Sequence, residues 1–107
     1  EIKYAVDFTL RIPPCEKYTL DNGVQVFALS TGMEEVIQLE LIFEAGNSWE
    51  NQNLVAAATN YLLKCGTSTK TAFESNEHFD FYGSRLKCSC GNETASIMLQ
   101  ALSKHVG

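Results

Sequence analysis

Between Ile37 and Glu44 the chain alternates with a period of two. Ile37, Leu39, Leu41 and Phe43 fall on one side, and Gln38, Glu40, Ile42 and Glu44 on the other. Successive side chains of a strand point to opposite faces, so this pattern predicts a strand with one face against a core. Ala45-Gly46 ends it. Past the loop Asn-Ser-Trp-Glu-Asn-Gln the period changes: Leu54, Ala58, Tyr61, Leu62 and Cys65 share one helical stripe, and Gly66 is placed to close that helix in a left-handed conformation. Tyr61 reads as a core residue, and Ala57 and Ala58 as helix-packing residues. A second helix opens at Thr71, where Thr-x-x-Glu is a capping box, and ends at Gly83. Alternation then returns. Leu86, Cys88 and Cys90 form one face of a strand and Arg85, Lys87 and Ser89 the other. Gly91-Asn92 makes a turn, and Ala95, Ile97, Leu99 and Ala101 alternate through a last strand.

Upstream, Tyr4 to Ile12 alternates loosely and stops at Pro13-Pro14. The run Lys-Tyr-Thr-Leu-Asp-Asn-Gly-Val-Gln-Val-Phe-Ala-Leu carries Asn22-Gly23 between two apolar-alternating stretches, a strong hairpin signal because both turn residues tolerate positive φ. The order is strands, two helices, strands. Such segregation predicts an α+β fold of two layers: a mostly antiparallel sheet with helices on one face. The 107 residues suffice for a single domain, with residues 1–16 as a lead-in. The chain stops just past a strand, at Ser-Lys-His-Val-Gly, where one more covering helix is expected.

Composition narrows the function. Hydrophobic residues make up 45% and charged residues 20%, with seven Gly and two Pro, which excludes disordered, collagen-like and low-complexity classes. Thirteen acidic against eight basic residues leave a net charge of −5. That sign repels phosphate, so nucleic acid and anionic membrane are not expected partners. No apolar run approaches the roughly 20 residues of a membrane span. The four cysteines, Cys15, Cys65, Cys88 and Cys90, lack paired C-x-x-C spacing. Cys88 and Cys90 point the same way from one strand, and a metal or redox pair there stands against the simpler reading of two small buried thiols. Reduced cysteines favour an intracellular setting, the cytoplasm over the periplasm or mitochondrion.

Taken in order, Leu-Asp-Asn-Gly, then Phe-Glu-Ala-Gly-Asn-Ser-Trp-Glu-Asn, a helix ending Leu-Leu-Lys-Cys-Gly-Thr, and a helix ending Phe-Tyr-Gly-Ser-Arg-Leu resemble the N-terminal half-domain of the pitrilysin/insulinase peptidases. Those are zinc enzymes carrying H-x-x-E-H on their first helix. The resemblance covers residues 18 to 104. Aligned on Leu63-Lys64-Cys65-Gly66-Thr67, it places the motif over Ala57, Ala58, Thr59, Asn60 and Tyr61. Ala57 and Tyr61 then stand where the two ligand histidines belong, and Asn60 stands in place of the catalytic glutamate, without a carboxylate to deprotonate water. The family's third ligand, a downstream glutamate, lies past the last residue. Losing merely a side chain that orients a ligand lowers metal affinity about 10–100-fold, so losing two imidazoles leaves no catalytic zinc. His78, near Glu74 and Glu77, reads as a surface charge pairing, and His105 as part of a polar tail.

The resemblance thus implies a non-catalytic member, with no cofactor and no metal. In active members the strand after the second helix reads Gly-Gly-x-x-Asn-Ala-x-Thr, and its open edge pairs with substrate backbone. Here that strand carries Arg85, Leu86, Lys87, Cys88, Ser89 and Cys90, with Lys87 in place of the Asn and Cys88 of the Ala. Backbone pairing depends on no side chain and is compatible with these replacements. The opposing reading is an ordinary strand whose Arg85 and Lys87 blunt its edge. The expected role is the partner, regulatory or peptide-holding half of a zinc-peptidase-like assembly. Expected partners are a second copy of the chain or a zinc-bearing peptidase subunit, with an extended peptide as ligand. Two alternatives remain: a structural subunit like the mitochondrial core proteins, or part of an active zinc metallopeptidase whose motif lies outside these residues.

Overall fold

The computed structural model describes residues 9–32 and 34–106, which fall into two units, Glu1–Glu34 and Glu35–Gly107. Of the loosely alternating segment from Tyr4 to Ile12, residues 4–8 lie outside the described residues, and residues 9–12 carry no regular structure.

In the first unit, β1 (Cys15–Thr19) and β2 (Gln25–Leu29) form the antiparallel hairpin expected around Asn22-Gly23, with Lys17 opposite Phe27. The turn differs from a two-residue loop with both residues at positive φ. Only Gly23 lies there, at φ 85°, while the Gly23 N–H donates to Leu20 O at 2.8 Å and the Leu20 N–H to Val24 O at 2.9 Å. Asn22 keeps ordinary φ because its side chain accepts from the Val24 N–H at 3.1 Å. A loop spanning Asp21 to Gly23 therefore needs left-handed backbone at glycine alone. On β1, Tyr18 donates its hydroxyl to the Glu16 carboxylate, and that bond pushes the phenol pKa up.

The second unit contains β3 (Val36–Phe43), α1 (Val55–Leu62), α2 (Ala72–Phe81), β4 (Arg85–Cys90) and β5 (Ala95–Leu102). Its sheet runs β3-β5-β4, antiparallel throughout. In register, Leu39, Leu99 and Leu86 line up across the three strands, as do Leu41, Ile97 and Cys88, and Phe43, Ala95 and Cys90. Residues directly opposite share a face, so this is the apolar face. The other face carries Gln38, Gln100 and Arg85, then Glu40, Met98 and Lys87, with a bond from Gln100 Nε2 to Gln38 Oε1 at 2.9 Å. Both faces follow the alternation read from sequence.

The segment from Gly46 to Glu50 ties the end of β3 to the β4–β5 turn. Gly46, Asn47 and Ser48 donate their N–H groups to Glu93 O, Gly91 O and Asn92 O, and Trp49 Nε1 donates to Glu93 O at 3.1 Å. A Cβ on Gly46 would lie 2.3 Å from Asn92 O, so only glycine lets the two backbones approach this closely. Glu50 then caps α1: its carboxylate accepts from the Leu54 N–H at 3.0 Å and the Ala56 N–H at 2.9 Å.

The face that α1 turns to the sheet corrects the stripe expected from sequence. Leu54, Tyr61 and Leu62 are exposed, Tyr61 by 65%, so Tyr61 is not core. Ala57 is half-buried and Ala58 exposed. Instead Asn60 is buried and Ala56 half-buried, and with the more exposed Thr59 and Leu63 they line a cleft of about 260 Å³ opposite Phe43, Ala95 and Ile97. These four also sit at helical spacing, and their mostly small side chains let the helix approach the sheet closely.

α2 keeps the expected boundaries. The Thr71 hydroxyl accepts from the Glu74 N–H, and the Glu74 carboxylate accepts from the Thr71 N–H at 2.7 Å, a complete capping box. Gly66 and Gly83 both take positive φ past the two helices. Among the described residues no helix is long and apolar enough to cross a membrane.

Candidate functional site

The strand singled out from sequence, Arg85 to Cys90, is β4, an outer strand bonded to β5 along one side. Its exposure alternates as expected: Leu86, Cys88 and Cys90 are half-buried, while Arg85, Lys87 and Ser89 are exposed. All four cysteines are free. The Cys90 thiol points at Asn47 Oδ1, 3.4 Å away, and Ser89 Oγ meets Ser96 Oγ at 2.8 Å on the polar face.

The three positions to which the resemblance assigns motif residues diverge in space. Asn60 is 6% exposed and donates its Nδ2 to Ser89 O of β4 at 3.0 Å. Tyr61, next in sequence, turns outward, and Lys64 Nζ lies 5.3 Å above its ring. Ala57 contributes a methyl. A methyl, an amide committed to a backbone carbonyl and an exposed phenol do not fit a zinc ion, which takes imidazole, thiolate or carboxylate donors. Among the described residues no group of three or more His, Cys, Asp or Glu gathers elsewhere to hold a metal. The two histidines both pack edge-on to Tyr82, His78 at 5.0 Å and His105 at 5.3 Å between centroids. The contact His78 makes is thus an aromatic one.

A second cleft, of about 310 Å³, opens at the start of β4. Lys64, Asn76, Asp80 and Arg85 line it, two basic residues against one acidic, with Phe79 and Leu86 as apolar wall. The Ser84 hydroxyl on its rim is already bonded to Phe79 O at 3.1 Å. Neither this cleft nor the Asn60–Ser89 bond was legible from sequence, since both depend on how two helices settle over one strand.

An antiparallel sheet with helices over an outer strand is an α+β fold, as expected. No family model matches the chain, and no curated protein matches it. Solved structures do. A peptidase M16 inactive domain from Pseudomonas fluorescens is 25% identical, with a TM-score of 0.81 over 86% of this chain. A protease from Helicobacter pylori, 20% identical, has a TM-score of 0.75 over 88% of the chain. The chain spans 23% of the length of each. The resemblance to the pitrilysin/insulinase peptidases, in an inactive form, is borne out by this likeness.

Proposed function

We propose that the chain is a non-catalytic peptidase-family domain, serving as the partner or regulatory half of a zinc-peptidase-like assembly and holding extended peptide along β4. One observation carries the reading. At the position where the resemblance puts the catalytic glutamate, Asn60 donates to the Ser89 carbonyl. A carboxylate there has no proton to give that carbonyl and would meet it oxygen to oxygen. The local structure is thus built around an amide donor, which can neither activate water nor ligate zinc. The inactive label of the Pseudomonas structure supports the same reading. β4, with no second strand partner among the described residues, offers backbone groups to an extended chain.

Metal analysis after dialysis against zinc, run beside a peptide-cleavage assay and an anisotropy titration with labelled unstructured peptides, tests the proposal. Peptide binding without stoichiometric zinc or cleavage is expected. One zinc per chain, lost on replacing His78 or the Cys88–Cys90 pair, would overturn it. The structural-subunit alternative has its own support: Ile37, Leu39, Leu41 and Phe43, the apolar row of β3, are all exposed and suit a permanent interface. Peptide binding separates the two.

A further inference from the structure

We infer that the cleft at the start of β4 receives the C-terminal carboxylate of an extended peptide lying antiparallel along that strand. The inference rests on the peptide-holding reading and names the ligand class. Antiparallel pairing is the commoner mode, and it runs the added chain opposite to β4. The peptide's C-terminal end is thereby delivered to Arg85, the first residue of β4. At that end two basic residues, Lys64 and Arg85, line the cleft against the single acidic residue Asp80, whereas the cleft beside the turn that follows Cys90 is lined by Glu44 and Glu93. This local excess of positive charge stands out on a chain whose net charge is −5. Asn76 adds an amide donor. Ser84 adds none, because its hydroxyl is spent on Phe79 O. A guanidinium, an ammonium and an amide are the donor set for a carboxylate, and the cleft volume of about 310 Å³ admits a terminal residue.

The test uses the whole chain and N-terminally labelled, unstructured ten-residue peptides of mixed sequence, each supplied as free acid and as C-terminal amide. Fluorescence anisotropy is expected to show the acid binding about 10-fold more tightly, the equivalent of one charge-assisted hydrogen bond. The double variant Lys64→Gln, Arg85→Gln, both exposed positions, is expected to bind acid and amide alike at the wild-type amide affinity, with an unchanged circular dichroism spectrum. Equal binding of acid and amide by the wild type would overturn this inference and leave the peptide-holding reading standing. An acid preference that survives the double variant would also overturn it, by placing the carboxylate elsewhere. Failure of both peptides to bind would remove the reading and the inference together.

Discussion

Asn60 illustrates how one polar residue sets the character of the site. An amide is tolerated at 6% exposure only because Nδ2 meets the Ser89 carbonyl. Asn60→Ala is expected to lower stability by about 1–3 kcal/mol, since the side-chain hydrogen bond to the carbonyl is lost and the buried space the amide filled is emptied. Asn60→Asp is expected to cost more than Asn60→Ala, because it sets a carboxylate oxygen against the carbonyl. Urea unfolding of the three proteins gives the order directly, and equal losses for Ala and Asp would count against the bond. Glu50 and Gly46 work at the same scale. Neither announces itself in the sequence, because one caps a helix across an intervening loop and the other owes its identity to a turn 46 residues away.

Among the elements, α2 is the most local in origin, and its capping box responds to pH. The Thr71 N–H and hydroxyl hold the Glu74 carboxyl below its ordinary pKa. A carboxyl depressed on folding contributes stability that is complete above its unfolded value and is lost as pH falls through the depressed folded one. Thermal melts are therefore expected to show wild type losing stability against Glu74→Gln in the acid range, below the ordinary glutamate pKa. Glutamine can still close the box but does not titrate. A constant difference between the two proteins across that range would exclude the linkage. β4 is tested differently. Cys88→Pro removes one donor from the open edge, the N–H of Lys87 being turned to Met98 of β5, and distorts the strand, whereas Cys88→Ala leaves the backbone intact. The proline variant is expected to lose peptide binding while the alanine variant keeps it. The comparison is made on protein whose circular dichroism matches wild type, and a folded proline variant that binds normally would exclude the edge as the docking line.

At the scale of the molecule, the apolar face of the sheet is covered unevenly. Around Ala95, which is 8% exposed, α1 shields it, but Ile37 and Leu39 on β3 remain 42% and 54% exposed. Ordering a residue costs about 1–2 kcal/mol, and burial of such rows is what offsets it. Light scattering is expected to report a dimer or larger assembly at micromolar concentration, and Leu39→Lys with Leu41→Lys to shift it toward monomer. A wild type that stays monomeric there would exclude association through this row. By itself the sequence determined everything that depends on neighbours along the chain: the alternating faces of β3, β4 and β5, the Thr71–Glu74 box, the glycines past each helix, and hence the α+β class. It left the face of α1 undecided. Leu54, Tyr61 and Leu62 and the smaller Ala56, Thr59, Asn60 and Leu63 both satisfy a helical period, and hydrophobicity favours the first set. Tertiary structure chose the second, because a helix carrying small residues and one hydrogen-bonding amide packs closer to β4 and β5 than one carrying a tyrosine.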